Sequence, residues 1–326
     1  MQSETFTVVA VSSKESGAFS MAAKGRALNR RLMILVLSTQ AFSLLAGAVW
    51  VWRFHFTTID LSLLIGMFIL SVLGITVGFH RQFTHRSFQT TRTIKIILAT
   101  LGSMAAQGPL LFWAAVHRHH HACSDQPGDP HSPTLHEEGL MNSLRSFWHA
   151  HVGWMFSPEV SDWALYVPDL LKDRTIFKLH RLYPVWVLLG LAVPTLAGAL
   201  LAGSFKGAAG GFLWGGLIRI TLAHHMTWSI NSICHLFGSR TFRSDDSSAN
   251  NFWLAISTFG ESWHNNHHAF PSSAFHGLRW WQIDLAGIVI RLLRNAGLAW
   301  NVKAPAKREM QESRLLDKSF RNQLLN

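Results

Sequence analysis

The sequence predicts an all-α membrane protein: four transmembrane helices in two hairpins, carrying a cytoplasmic helical cap that holds a histidine-rich site. Three observations carry this. Charged residues make up only 14% of 326 residues, against 48% hydrophobic. Apolar runs, of which 33–52 has no Lys, Arg, Asp or Glu at all, reach the ~20 residues that a helix needs to cross a bilayer. The 19 histidines are also not scattered, since the spaced clusters lie beyond the ends of those runs.

Hydropathy picks out 33–52, 59–79, 94–116, 183–203 and 207–227. The third is the weak one, with Lys95 near its start and Gln107-Gly-Pro109 interrupting it. Charge bias decides whether it crosses. Lys14, Lys24, Arg26, Arg30 and Arg31 precede the first span, which puts the N-terminus in the cytoplasm. With four crossings, the external connectors 53–58 and 204–206 hold only Arg53 and Lys206, and every histidine cluster ends up inside. A fifth crossing would separate the clusters and export the basic stretch from Arg279 to Arg321. The expected organisation is therefore a polar basic tail (1–32), a membrane domain (33–300) with 94–116 as an interfacial helix, and a polar tail (301–326). No secretory signal is apparent, because 33–52 is too long for an h-region and lies behind that tail.

A net charge of +11 raises the possibility of nucleic acid as a partner. The basic residues flank apolar spans instead of forming a patch interleaved with exposed aromatics, so membrane lipid is the expected partner and nucleic acid is not. Cys123 and Cys234 are expected to be free thiols.

The clusters are His80-Arg-Gln-Phe-Thr-His85, His117-Arg-His-His120-His121 and His264-Asn-Asn-His267-His268, with a ninth histidine at His235. In the two His-x-x-His-His triples, positions i, i+3 and i+4 project from one side of a helix. Nine imidazoles are more than one zinc ion uses, so the pattern reads as a two-metal site. Imidazole suits iron, zinc, copper and nickel, and ligand type alone leaves the metal open.

These strings, with Gly74-Ile-Thr-Val-Gly-Phe before His80, Asn231-Ser-Ile-Cys before His235 and Gly260-Glu-Ser-Trp before His264, resemble the integral-membrane acyl-CoA desaturases of the stearoyl-CoA desaturase type over about residues 33–300. The resemblance implies a non-haem di-iron centre that uses dioxygen and two electrons to place a cis double bond, by default at the ninth carbon, in a long saturated acyl chain. It implies that His80, His85, His117, His120, His121, His235, His264, His267 and His268 ligate two iron ions, and that Asn231 holds a metal-bound water. It also implies an apolar substrate tunnel, for which Phe68, Val72, Trp113, Trp148, Trp154, Trp228 and Trp263 are the candidates. Glu261, Asp125 and Asp129 are expected to orient ligand imidazoles, and His224 and His225 to border the cavity. Beyond the metal centre no catalytic side chain is expected.

The departures from the family are informative. Where the animal enzymes carry an Arg-Asp pair that contacts the CoA head, this chain has Ala115 and Val116. The string Ser124-Asp-Gln-Pro-Gly-Asp-Pro-His131 resembles the bacterial branch, whose acyl chains ride on CoA, a glycerolipid or a carrier protein. That implies the bacterial inner membrane, with both termini and the active site cytoplasmic. No haem-carrier or rubredoxin signature is fused to the chain, so electrons are expected from a separate ferredoxin or b-type cytochrome with its reductase. Carboxylate di-iron proteins need two Glu-x-x-His motifs, and only Glu261-Ser-Trp-His264 exists. Sister oxidations (hydroxylase, acetylenase, decarboxylase) share the iron site, and a metal transporter would bind at the bilayer midplane instead. His119 reads as a bystander, His55, His136, His180 and His276 as structural, and His149 and His151 as packing; Arg219 is expected to snorkel or pair.

Overall fold

The computed structural model describes residues 17–133 and 140–314, and His136 lies outside them. The chain is mostly helical. Helix α1 (Ala23–Phe54) runs about one span length in its apolar part but starts ten residues earlier than expected, within the basic tail. That tail is also anchored: strand β1 (Ala18–Ser20) pairs antiparallel with a strand at Glu159–Ser161, and Asn29 donates to the Met155 carbonyl.

Helix α2 (Thr58–Leu73) starts at a capping box. The Thr57 hydroxyl accepts from the Asp60 N–H, while the Asp60 carboxylate accepts from the Thr57 N–H. It continues without a break as a π-helical segment, Gly74–Thr84, that carries His80. This wider winding recurs at functional sites because it redirects side chains and carbonyls.

The single helix expected over 94–116 is two. After strand β2 (Gln89–Thr90), helix α3 (Arg92–Met104) ends at Ala105, and helix α4 (Leu110–Ala122) starts after Pro109. Proline cannot supply the N–H that a continuous helix needs there, and Gly108 turns the chain at φ 95°. Gln107 in this break donates to the Ala223 carbonyl and the Thr227 hydroxyl, which ties it to a later helix. The histidine triple therefore sits on α4 itself.

Helix α5 (Leu140–His151) is followed by strand β3 (Glu159–Ser161), the partner of β1, and by three short helices: α6 (Trp163–Tyr166), α7 (Pro168–Lys172) and α8 (Arg174–Arg181). Helix α9 (Tyr183–Ala202) turns at Gly203 and Ser204 into α10 (Phe205–Gly210). Glycines let these backbones touch: a Cβ on Gly211 would stand 2.1 Å from the Pro194 carbonyl oxygen. A second π-helical segment, Gly211–Ile218, leads into α11 (Arg219–Ser232). Helix α12 (His264–Ala269) carries the last triple, and α13 (Leu285–Asn295) leads to strand β4 (Ala299–Trp300), which pairs with β2. Residues 307–314 of the expected polar tail are helical.

Among the described residues three helices are long and apolar enough to cross a membrane: Ala23–Phe54, Thr58–Thr84 and Tyr183–Ala202. The fourth expected span, 207–227, is helical throughout but is not one of them, being glycine-rich and interrupted by Arg219. Nor does Arg219 snorkel or find a carboxylate among the described residues. It is fully buried and donates to the carbonyls of Gly190, Met104 and Gly215 and to the Ser71 hydroxyl. The π winding makes this possible. The Arg219 N–H bonds to Trp214 and Gly216, which leaves the Gly215 carbonyl for the guanidinium.

Candidate metal centre

Nine histidines meet in two groups. The ligand atoms of His80, His85, His117, His121 and His267 all lie within 4.8 Å of one another, as do those of His120, His235, His264 and His268. The contacts run from Nε2 to Nε2: 3.1 Å for His80–His267, His85–His117 and His117–His121, 2.9 Å for His121–His267, and 3.0 Å for His235–His264.

Helical period explains the partition. On α4, His117 and His121 are i and i+4 and point into the first group. His120, about 100° around the helix from His121, points into the second. On α12 the division is reversed: His264 and His268 serve the second group and His267 the first. Each triple thus contributes to both groups.

The other ring nitrogen sets the tautomer. His80 Nδ1 lies 2.5 Å from Glu261, His120 Nδ1 2.9 Å from Asp129, His235 Nδ1 3.0 Å from Asp125, and His268 Nδ1 2.5 Å from Asp246. A carboxylate accepting from Nδ1–H leaves the Nε2 lone pair facing inward. Burial works against ionised carboxylates, yet the His235, His120 and His268 contacts hold Asp125, Asp129 and Asp246 well below the usual carboxylate range. Conversely, burial first and neighbouring imidazoles second push His85, His117, His121, His264 and His267 well below the ordinary histidine value. They are neutral at pH 7, the form in which imidazole binds a metal.

These residues fit a pair of metal ions. Two nitrogens at right angles, each ~2.1 Å from one ion, stand ~3.0 Å apart, which matches the Nε2 spacings above. Nε2 of His268 is buried with no hydrogen-bond partner among the described residues, as a lone pair reserved for an ion would be.

A narrow cavity borders both groups, touching His80 and His117 of the first and His264 of the second. Asn231 and Glu261 also line it, and Ile75, Met226 and Ile230 supply an apolar wall. Of the seven tunnel candidates only Trp113 borders it. Val72 is fully buried in the core, with Phe68 packed against it. Trp148 is 57% exposed. Trp154 packs on His131, and Trp228 on His224 and His225. Trp263 is buried with its indole N–H donated to the Ile283 carbonyl. Large aromatic side chains beside a site commonly pack its frame instead of its lumen.

His224 and His225 do not reach the ligands. His224 Nε2 lies 3.0 Å from both the Ala105 and Ala106 carbonyls and Nδ1 3.0 Å from Gln40, while His225 pairs with His151. His224 thus faces α1 and the chain just past α3, and His225 faces α5. His119 bonds Ser161 and stacks on Tyr166, outside both groups. Both cysteines are free.

Sequence reasoning missed three features. Asp246 holds His268; the Asp245-Asp246 pair soon after His235 was the available signal, since acidic residues are scarce here. His276, read as structural, is buried with Nδ1 3.3 Å from Glu261 and its ring 4.5 Å from that of His267. The arginines inside the motifs are the third. Arg81 pairs with Asp284 and Glu261, and Arg118 clamps the Phe83, Thr84 and Tyr166 carbonyls together with Asp169. Arg118 thereby holds the end of the segment that presents His80 and His85.

Known proteins resemble this chain in sequence. Residues 56–303 match the fatty acid desaturase family model. The chain is 49% identical over 266 residues to a hex-5-enoyl-[acyl-carrier protein] acetylenase of Moorena producens, covering 81% of this chain and 83% of that protein. It is 38% identical over 259 residues to an sn-1 stearoyl-lipid 9-desaturase of Anabaena variabilis (79% and 88%). It is 37% identical over 291 residues to a chloroplastic palmitoyl-monogalactosyldiacylglycerol delta-7 desaturase of Arabidopsis thaliana (88% and 72%).

Proposed function

This chain belongs to the fatty acid desaturase family, oxidoreductases that act on acyl chains, and we propose that it desaturates a long saturated acyl chain with dioxygen, two electrons and two irons, placing a cis double bond by default at the ninth carbon. The observation that carries this reading is the pair of Nε2-directed histidine groups facing one narrow cavity with an apolar wall. His80, His85, His117, His121 and His267 would hold one iron, and His120, His235, His264 and His268 the other, with Asn231 bonding a water beside it. When bound, a pair of irons supplies an oxidant strong enough to take hydrogen from an unactivated methylene.

The chain's own residues do the rest. Glu261, Asp125, Asp129 and Asp246 keep Nδ1 protonated and the rings aimed. Ile75, Met226 and Ile230 offer an extended acyl chain an apolar bed against the ligands and exclude water from it. Ala115 and Val116, both buried, offer no charge to a CoA head, which favours a lipid or carrier-protein acyl donor.

For topology we favour four crossings within residues 33–300, the fourth being the Arg219-bearing run, with both termini and the metal cap on the cytoplasmic side of a bacterial inner membrane. Electrons would come from a separate protein.

The 49% identity to the acetylenase favours a second reading: further dehydrogenation of an already unsaturated chain on acyl-carrier protein. A fatty-acid profile of a desaturase-deficient host expressing the chain, with lipid, CoA and carrier-protein pools extracted separately and double bonds located by mass spectrometry, tests both. A monoene missing from a His120→Ala control supports desaturation, and an alkyne supports the second reading. A blank profile from iron-loaded protein with a working electron donor would overturn both.

A further inference from the structure

Beside the second histidine group lies an exposed aromatic face that the acyl chemistry does not use. Trp253 is 86% and Trp280 97% exposed, with Phe252, Trp281 and Ile256 open beside them. The Phe252 ring contacts those of Trp253 (5.5 Å) and Trp281 (6.5 Å), so these three rings form one patch, with Trp280 adjoining it in sequence. Such a patch on a folded protein marks a surface that something covers.

Two further observations say what. First, the patch leads inward. The Trp281 ring lies 5.4 Å from that of Trp263 and the Phe252 ring 6.4 Å from it, and Trp263 is only 1% exposed. Trp263 immediately precedes His264 of the four-histidine group, so edge-to-face ring contacts lead from the surface to the residue bonded through the backbone to a candidate ligand. Second, the rim is basic. Arg279 lies over the Trp281 ring at 6.0 Å, close enough to Arg314 for the two cations to repel, and the Arg243 N–H donates to Ser313 beside Arg314. None of these arginines pairs with a carboxylate among the described residues, and the chain carries +11 overall.

We propose that the face formed by Phe252, Trp253, Trp280 and Trp281, with its rim of Arg243, Arg279 and Arg314, docks a small acidic one-electron carrier protein, and that Trp263 conducts the electron to the four-histidine group. The proposal rests on the oxidative reading above. One dioxygen, two electrons and two protons, with the two hydrogens taken from the chain, give one double bond and two waters. The carrier is oxidised by one electron at each docking, so two dockings serve each turnover. An acidic partner matches the arginine rim and gains on-rate from it. Exposed aromatics supply the short-range contact. A lipid surface would match the rim as well, but it makes no use of aromatic contacts that lead inward to the residue next to His264.

The test uses full-length, iron-loaded protein in nanodiscs of neutral lipid, with a plant-type [2Fe–2S] ferredoxin and an acidic b-type cytochrome as probes. Trp253→Ser/Trp280→Ser and Arg279→Glu/Arg314→Glu should each weaken binding of the accepted probe about tenfold, with iron content and thermal unfolding unchanged. Trp263→Phe should leave that binding unaltered and slow reoxidation of the reduced probe at saturation. Unchanged binding in both surface variants while product still forms would overturn the proposal. So would a wild-type protein that binds neither probe, or surface variants that instead lose affinity for anionic vesicles or change oligomeric state. Failure of the oxidative reading looks different: wild-type protein would bind the probe and yield no oxidised acyl chain.

Discussion

Asp246 Oδ2 lies 2.5 Å from Nδ1 of His268, joining a loop carboxylate to a histidine 22 residues away. With Asp125 on His235 and Asp129 on His120, it gives three imidazoles of the four-histidine group a carboxylate each. In the five-histidine group only His80 has one among the described residues, and that Glu261 is shared with Arg81 and His276. Asp246→Asn keeps the shape and removes the charge. Metal affinity of the four-histidine group should fall roughly 10–100-fold while the other group keeps its ion. Competition with a graded chelator, followed by iron counting, reads this directly, and equal retention in wild type and variant would deny Asp246 that role.

Neighbouring residues should empty different sites. His267 turns into the five-histidine group and His268 into the four-histidine group, because consecutive helical positions differ by about 100°. His267→Ala and His268→Ala should each abolish turnover, yet lose different components of the Mössbauer spectrum. Loss of the same component in both would contradict the partition.

Arg219 should be irreplaceable even by lysine. Its guanidinium satisfies three carbonyls and a hydroxyl drawn from four separate segments, a fork that one ammonium cannot span. We expect Arg219→Lys to cost about 2 kcal/mol, seen as a lower unfolding temperature in lipid or detergent. An unshifted transition would show those carbonyls to be dispensable partners.

Acid should weaken the cap through Asp284. Burial works against its ionised form, but the Arg81 guanidinium and the His276, Gly277 and Gly287 N–H groups hold it below the ordinary 3.8. A depressed carboxylate contributes stability that is complete above its unfolded value and lost as pH falls through the folded one. Stability should therefore drop below about pH 4 in wild type. Asp284→Asn should be less stable at neutral pH by about 3 kcal/mol and show a shallower acid limb. Parallel pH curves would assign the acid loss elsewhere.

Chain length should respond to Phe68. Thr76 borders the cavity, and Val72 and Phe68 continue along the same helix at four-residue steps. Shrinking Phe68 to alanine should lengthen the acyl chain accepted, read from product profiles. An unchanged profile would place the end of the chain against another wall.

The helical class, the membrane character and the nine clustered histidines were legible in the linear pattern, because apolar run length and helical spacing are local properties. So was the family, through motifs of short span. The break at Gln107-Gly108-Pro109 was visible too, as a flaw in an apolar run, although its consequence, two helices with the triple on the second, was not. Which ion each histidine faces depends on how α4 and α12 are rotated against each other, and spacing within one helix does not contain that. The same holds for Asp246, His276 and Asp284, which reach the site from distant loops. Arg219 shows the difference most plainly. Its charge marked it for a partner, but only tertiary packing against α2, α3 and α9, together with the π winding before it, could supply carbonyls in place of a carboxylate. Local backbone preference is written in neighbouring residues, whereas the pairing of buried polar groups is settled only when separate elements close around them and leave no water to serve instead.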